Sequence, residues 1–125
     1  MIKSILIVAA GGAVGASARY VLGVVLPATT LPIGVLAANL LGSFMLGLLV
    51  GFGALGLHMP EAVRLLVVVG VLGGFTTFSS FAMEALLLGE RGMSLLGLLY
   101  VLLSVLGALG FMWVGMKLPK LIFNF

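Results

Sequence analysis

The sequence predicts an all-α membrane protein of four transmembrane helices, the third of them broken, and three observations carry that expectation. Hydrophobic residues make up 63% of the chain and charged residues 7%, with a mean hydropathy of +1.43, which leaves a water-soluble domain almost nothing to cover itself with. The 125 residues hold about four spans of roughly 20 residues with short turns, so positions 1–125 form one transmembrane domain with no room for a soluble module. The third observation is the run from Gly70 to Phe81, GVLGGFTTFSSF, which sits within an apolar segment yet combines a Gly-Gly pair, hydroxyl residues and phenylalanines. Gly73 and Gly74 weaken a helix at adjacent positions, and backbone groups freed in hydrocarbon must face protein, an ion or water. A break there implies a site.

The net charge of +3 is an ordinary membrane-protein excess, too small and dispersed to suggest nucleic acid as a partner. The absence of cysteine excludes disulfides and thiolate metal sites. Any aqueous pathway through four short helices is thin, which favours assembly with another copy.

The first span is expected over residues 5–26, with Lys3 ahead of it and Pro27 closing it. Lys3, the apolar run Ile5 to Ala10 and the triplet Ala16-Ser17-Ala18 also have the layout of a cleavable signal peptide, but the apolar run continues through Tyr20 to Leu26 and favours a retained span. Gly11 and Gly15, like Gly12 and Ala16, are four apart and make a face on which helices approach closely. Arg19 lies inside this span and needs either a partner or a route to the interface by snorkelling toward Pro27.

The second span is expected over 33–57, after a tight connection containing Pro27 and Pro32. Gly34, Ala38 and Gly42 repeat the small-residue face, while Asn39 and Ser43 put an amide and a hydroxyl together near mid-membrane. Such an amide is costly without a partner; it either glues helices together or belongs to the site beside the break. His58 falls in the next turn as a solvated loop histidine, with no partner at metal-site spacing. The third span, 62–88, exceeds the roughly 30 Å hydrocarbon core if unbroken, which fits a central interruption. Beyond the break Phe78 and Phe81 share a helical face, with Thr77, Ser80 and Glu84 as a polar stripe beside them. A polar turn over 89–94 leads to the fourth span, 95–116, where Tyr100, Ser104 and Gly107 lie along one face and Trp113 anchors the end. With four spans, Lys3, Arg64, Lys117 and Lys120 share the side of the termini against Arg91 opposite, a mild lean to cytoplasmic termini that leaves both orientations open.

Three blocks, GGAVGASARY at 11–20, GVLAANLLGSF at 34–44 and GVLGGFTTFSSF at 70–81, resemble the signature blocks of the Fluc-type fluoride channels, the CrcB family, in the same order and with similar spacing. The resemblance covers essentially the whole chain. It implies an antiparallel, dual-topology homodimer in the plasma (inner) membrane that exports fluoride passively through two pores, lowering its cytoplasmic level. By the same resemblance Asn39, Phe78 and Phe81 match pore residues, and Ser79, Ser80, Tyr100 and Glu84 match a polar track and vestibule. Gly73 and Thr76 match the backbone positions that hold a structural Na⁺ at the dimer centre, and Arg19 matches the motif arginine. One position departs: Val35 stands where the family usually has threonine, one turn before Asn39, removing a hydroxyl from the pore lining.

The chemistry makes this intelligible. Fluoride is small and tightly hydrated, so a narrow pore must replace its water with donors such as Asn39, Thr77 and Ser80, with Ser104 and Ser43 as further hydroxyls. Phenyl rings at 78 and 81 offer positive edges without a fixed charge that would trap the ion. Carbonyls freed between Gly73 and Thr76 suit a hard cation such as Na⁺, especially if a two-fold axis doubles them. A four-span exporter of the small multidrug-resistance type has the right size but requires an acidic residue in its first span, and this first span has none. A non-transporting assembly subunit explains the small-residue faces but not the hydroxyl-rich break. No nucleophile and base pair points to an enzyme.

Overall fold

The computed structural model describes residues 1–26 and 29–123, and every regular element among them is helical. Four helical stretches are long and apolar enough to cross a membrane, Ile2–Val25, Ile33–Ala54, Glu61–Glu90 and Ser94–Ile122, so the chain is a multi-pass all-α membrane protein.

The ends differ from expectation for local reasons. The first helix starts ahead of Ile5 and takes in Lys3, while Pro27, expected to close it, lies outside the described residues. The second stops at Ala54 rather than Leu57 because Gly56 adopts φ +88° and Leu57 N–H turns back to Phe52 O at 3.2 Å, a left-handed cap that glycine adopts without penalty. Gly92, at φ +77°, ends the third span in the same way, with Met93 N–H donating to Leu88 O at 2.9 Å. The expected 89–94 turn is therefore shorter, since helix runs through Glu90 and resumes at Ser94. The fourth helix continues past 116 to Ile122 with Pro119 inside it. Pro119 lacks a donor, but its ring is buried against Gly51, where an added Cβ would stand 2.9 Å from Pro119 Cγ, and Phe123 N–H donates to Pro119 O at 2.9 Å. Trp113 is exposed, but the helix runs on well beyond it.

The third span changes character along its length. Glu61–Arg64 is α-helical, Leu65–Leu72 is wound as a π-helix and Gly73–Phe75 returns to α. Thr76 (φ −84°, ψ 155°) and Thr77 (φ −154°, ψ 119°) are extended, and Phe78–Glu90 begins a second α-helical stretch.

The two halves pack on different neighbours. Residues 65–75 lie on the first helix, where Gly11 and Gly15 are buried against main chain: a Cβ on Gly11 would stand 2.9 Å from Gly70 Cα, and one on Gly74 would stand 2.6 Å from Gly12 O. Phe78–Glu90 packs on the fourth helix through Phe81, Leu88 and Tyr100. The second and fourth helices form the longest seam, also at glycine: a Cβ on Gly47 would stand 3.2 Å from Gly115 Cα. Lipid is as apolar as leucine, so helices gain little by hiding leucines from it; close contact of bare backbones supplies dispersion instead.

Candidate ion pathway at the helix break

The extended pair Thr76-Thr77 is held from three directions. Thr76 N–H and Oγ1 both donate to Leu72 O, at 3.0 and 2.9 Å, which terminates the first half. From the second helix, Asn39 makes a two-point clamp: Thr77 N–H donates to Asn39 Oδ1 at 2.8 Å, and Asn39 Nδ2 donates to Thr77 O at 3.0 Å. Thr77 Oγ1 accepts from Ser80 N–H at 3.2 Å, donates to Ser80 Oγ at 3.2 Å and lies 3.3 Å from Ser79 Oγ. These hydroxyls start the second half as its N-cap. From the first helix, Arg19 Nε donates to Gly74 O at 3.2 Å. Of the two options for Arg19, a partner is present: a main-chain acceptor freed by the break lies within reach.

The same bonds expose two carbonyls. In an unbroken α-helix Thr77 N–H would bond Gly73 O, and Ser80 N–H would bond Thr76 O. Both donors are diverted, to Asn39 Oδ1 and Thr77 Oγ1, so the carbonyls of Gly73 and Thr76 lose their helical partners. Main-chain oxygens of this kind are the ligand type a hard cation takes.

A cavity of about 610 Å³ opens beside the break. Asn39, Ser43, Gly73, Thr76, Thr77, Phe78, Phe81 and Ser104 all line it. Asn39 is therefore both a clamp and a wall, with one of its two amide hydrogens engaged by Thr77 O. Ser104 is only 6% exposed, and its Oγ has no hydrogen-bond partner among the described residues.

From the cavity an aromatic file leads away. Phe78 and Phe81 meet edge to face, with centroids 5.3 Å apart at 65°, and Phe81 lies 5.7 Å from the Tyr100 ring at 40°. Tyr100 OH donates to Glu84 Oε2 at 3.0 Å. Phe81 and Tyr100 are 7% and 1% exposed, whereas Phe78 is 78% exposed. Val35 packs against the Phe81–Leu88–Tyr100 cluster, where an apolar side chain suits its neighbours. Glu84 also lines a second, smaller cavity of about 240 Å³ near the end of the third span.

Of the residues expected at the site, Ser79, Ser80, Arg19, Tyr100 and Glu84 lie off the larger cavity: two in the cap, one on the first helix, two farther along the aromatic file. Sequence reasoning missed the role of Gly42, where an added Cβ would overlap the Thr76 methyl; its four-residue spacing marked a packing face without naming what it faces. His58 Nδ1 sits 2.8 Å from Gly56 O in an exposed turn, and no group of three metal-ligating side chains exists among the described residues.

The family described as CrcB-like protein, Camphor Resistance (CrcB), matches residues 6–116. Three relatives, each named Fluoride-specific ion channel FluC, align over nearly their whole length. The relative from Sphingopyxis alaskensis is 48% identical over 121 residues, 94% of this chain and 96% of its own. That from Magnetococcus marinus is 47% identical over 118 residues, 92% and 96% of the two chains. That from Agrobacterium fabrum is 43% identical over 123 residues, 96% and 98%. The matched stretch, residues 6–116, runs through all four helices and spans positions 39, 76 and 77, and the chain belongs to the CrcB family.

Proposed function

We propose that this protein is a fluoride-selective channel that lets fluoride leave the cell passively, across the plasma (inner) membrane. The observation that carries the reading is the cavity at the break, walled by an amide, hydroxyls and two phenylalanines with no fixed charge, in a chain whose relatives bear the name of fluoride-specific channels. The amide hydrogen of Asn39 not held by Thr77 O, the unpartnered Ser104 hydroxyl and the ring edges of Phe78 and Phe81 replace parts of the hydration shell in turn. Among the described residues no lysine or arginine lines this cavity, so the anion is stabilised without being trapped. The acid that a small multidrug-resistance exporter requires in its first span is absent from Ile2–Val25.

In this reading the working unit is an antiparallel, dual-topology homodimer with two pores, and the Thr76-Thr77 interruption is its functional centre. Support comes from Phe78, whose ring stands 78% exposed beside a cavity that one chain leaves open. The Gly73 and Thr76 carbonyls, doubled by a two-fold axis, hold one structural Na⁺; when bound, that ion neutralises oxygens that hydrocarbon would leave unsatisfied.

Liposomes containing only the purified chain test the function. Fluoride efflux without comparable chloride efflux is expected, and liposomes that release neither ion, or both equally, overturn it. Engineered cysteines near Lys3 and near Arg91 test the assembly: termini-to-turn crosslinks are expected, while exclusive termini-to-termini crosslinks mean a parallel pair.

A further inference from the structure

The cavity at the far end of the aromatic file is lined by Thr29, Thr30, Glu84, Leu87 and Arg91 among others, and encloses about 240 Å³. Glu84 belongs to two environments at once. One carboxylate oxygen accepts the buried Tyr100 hydroxyl at 3.0 Å, and the side chain also walls this outer cavity. An anion entering the outer cavity therefore meets a residue that carries a carboxylate. The local backbone adds to the difficulty, because Arg91 is the C-cap of Phe78–Glu90, where the unpaired carbonyls of a helix end carry partial negative charge. Glu90, the neighbouring acid, contributes the same sign but does not line the cavity. Uncorrected, this mouth repels the ion that the pathway is built to pass.

Among the described residues Arg91 is the one cation on its wall. We infer that the outer cavity is an anion-collecting mouth, a transient site for a small monovalent anion in which the Arg91 guanidinium offsets Glu84 and the helix end. The Thr29 and Thr30 hydroxyls supply neutral donors there. Glu84 in turn keeps Arg91 from becoming a trap: a lone arginine would hold an anion, whereas an opposed pair gives a weak site from which the ion moves on. Arg91 thus acts through the field at the mouth, and its removal slows access more than it alters the break. This inference rests on the fluoride-channel reading.

The test is fluoride efflux from liposomes holding wild type, Arg91→Gln, Arg91→Lys, Glu84→Gln or the Glu84→Gln/Arg91→Gln double variant, with an impermeant salt setting the ionic strength. At about 0.01 M salt Arg91→Gln is expected to lower flux about three- to tenfold, with Arg91→Lys close to wild type. At about 1 M salt, where the screening length is about 3 Å, the loss shrinks below about twofold. The step from Glu84→Gln to the double variant costs less than the step from wild type to Arg91→Gln. A loss that persists at high salt, or is as large on the Glu84→Gln background, makes Arg91 a structural cap and overturns the inference; so does wild-type flux in Arg91→Gln at low salt. A silent wild type overturns the channel reading instead, so the two failures are distinguishable.

Discussion

The two halves of the third span are held by opposite means. Residues 65–75 press main chain against main chain, with Gly70 and Gly74 against Gly11 and Gly12, and Arg19 adds a side-chain bond to Gly74 O at its edge. Phe78–Glu90 presents side chains to its neighbours: the Thr77 cap, the Phe78–Phe81 pair, Phe81 on Tyr100 and Glu84 on the Tyr100 hydroxyl. Backbone contact fixes position because neither partner has a rotamer to change, whereas side-chain contact leaves donors and ring edges facing a cavity. The lesson is a division of labour within one span, in which the first half, docked through main chain, sets where the break sits and the second half brings the Phe78 and Phe81 rings to the cavity. Substitutions on the first should cost folding and those on the second should cost flux.

The largest effect is expected at the joint between the halves. Asn39→Asp keeps the acceptor for Thr77 N–H, replaces the donor to Thr77 O with an oxygen and puts negative charge on the cavity wall. Fluoride efflux should fall to background, with the assembled protein still recovered in detergent; wild-type efflux removes Asn39 from the pathway. Next comes Gly15→Leu, whose Cβ would overlap Val71 O and stand 2.8 Å from Phe75 N, both main-chain atoms that cannot rotate away. It should destabilise the protein by at least about 2 kcal/mol, read as loss of the folded species in denaturant titration. A stable Gly15→Leu variant that merely conducts poorly would break the comparison.

Phe78→Ile and Phe81→Ile sharpen it. Both delete a positive ring edge, so each should reduce efflux about tenfold or more, yet they differ in stability. Phe81→Ile gives up two ring contacts worth about 0.5–1.5 kcal/mol each, while the exposed Phe78 gives up only the one it shares with Phe81. Normal efflux in both variants makes the rings packing residues. The smallest effect belongs to Thr77→Val, which removes the acceptor for Ser80 N–H and should cost about 1 kcal/mol of stability while keeping Asn39 bonded to the backbone. If it costs nothing, the cap is held by Ser79 and Ser80 without Thr77.

Much of this was legible in the residues. Composition alone requires a membrane protein, since apolar surface this extensive has no other solvent, and span length follows from bilayer thickness. The run GVLGGFTTFSSF marks the unusual segment because glycine pairs and hydroxyls in hydrocarbon need local partners. Four-residue spacing exposes the faces of Gly11/Gly15 and Gly34/Ala38/Gly42, because it reports what shares one side of a helix.

Spacing within a helix says nothing about which helix lies opposite. That Asn39 reaches Thr77 across 38 positions, that Arg19 reaches Gly74 across 55, and that Thr76 sets its methyl on Gly42 are consequences of docking. Helix ends escaped for a related reason: Pro119 reads as a stop until Gly51 gives its ring a place, and Arg91 reads as a turn charge until Glu84 is found lining the same cavity. Solvent, number of spans and the segment that had to be special follow from hydropathy and local backbone freedom, which the residues carry on their own. Which donor meets which freed carbonyl was settled by the docking of the helices, because a hydrogen bond depends on distance in space and not on position along the chain.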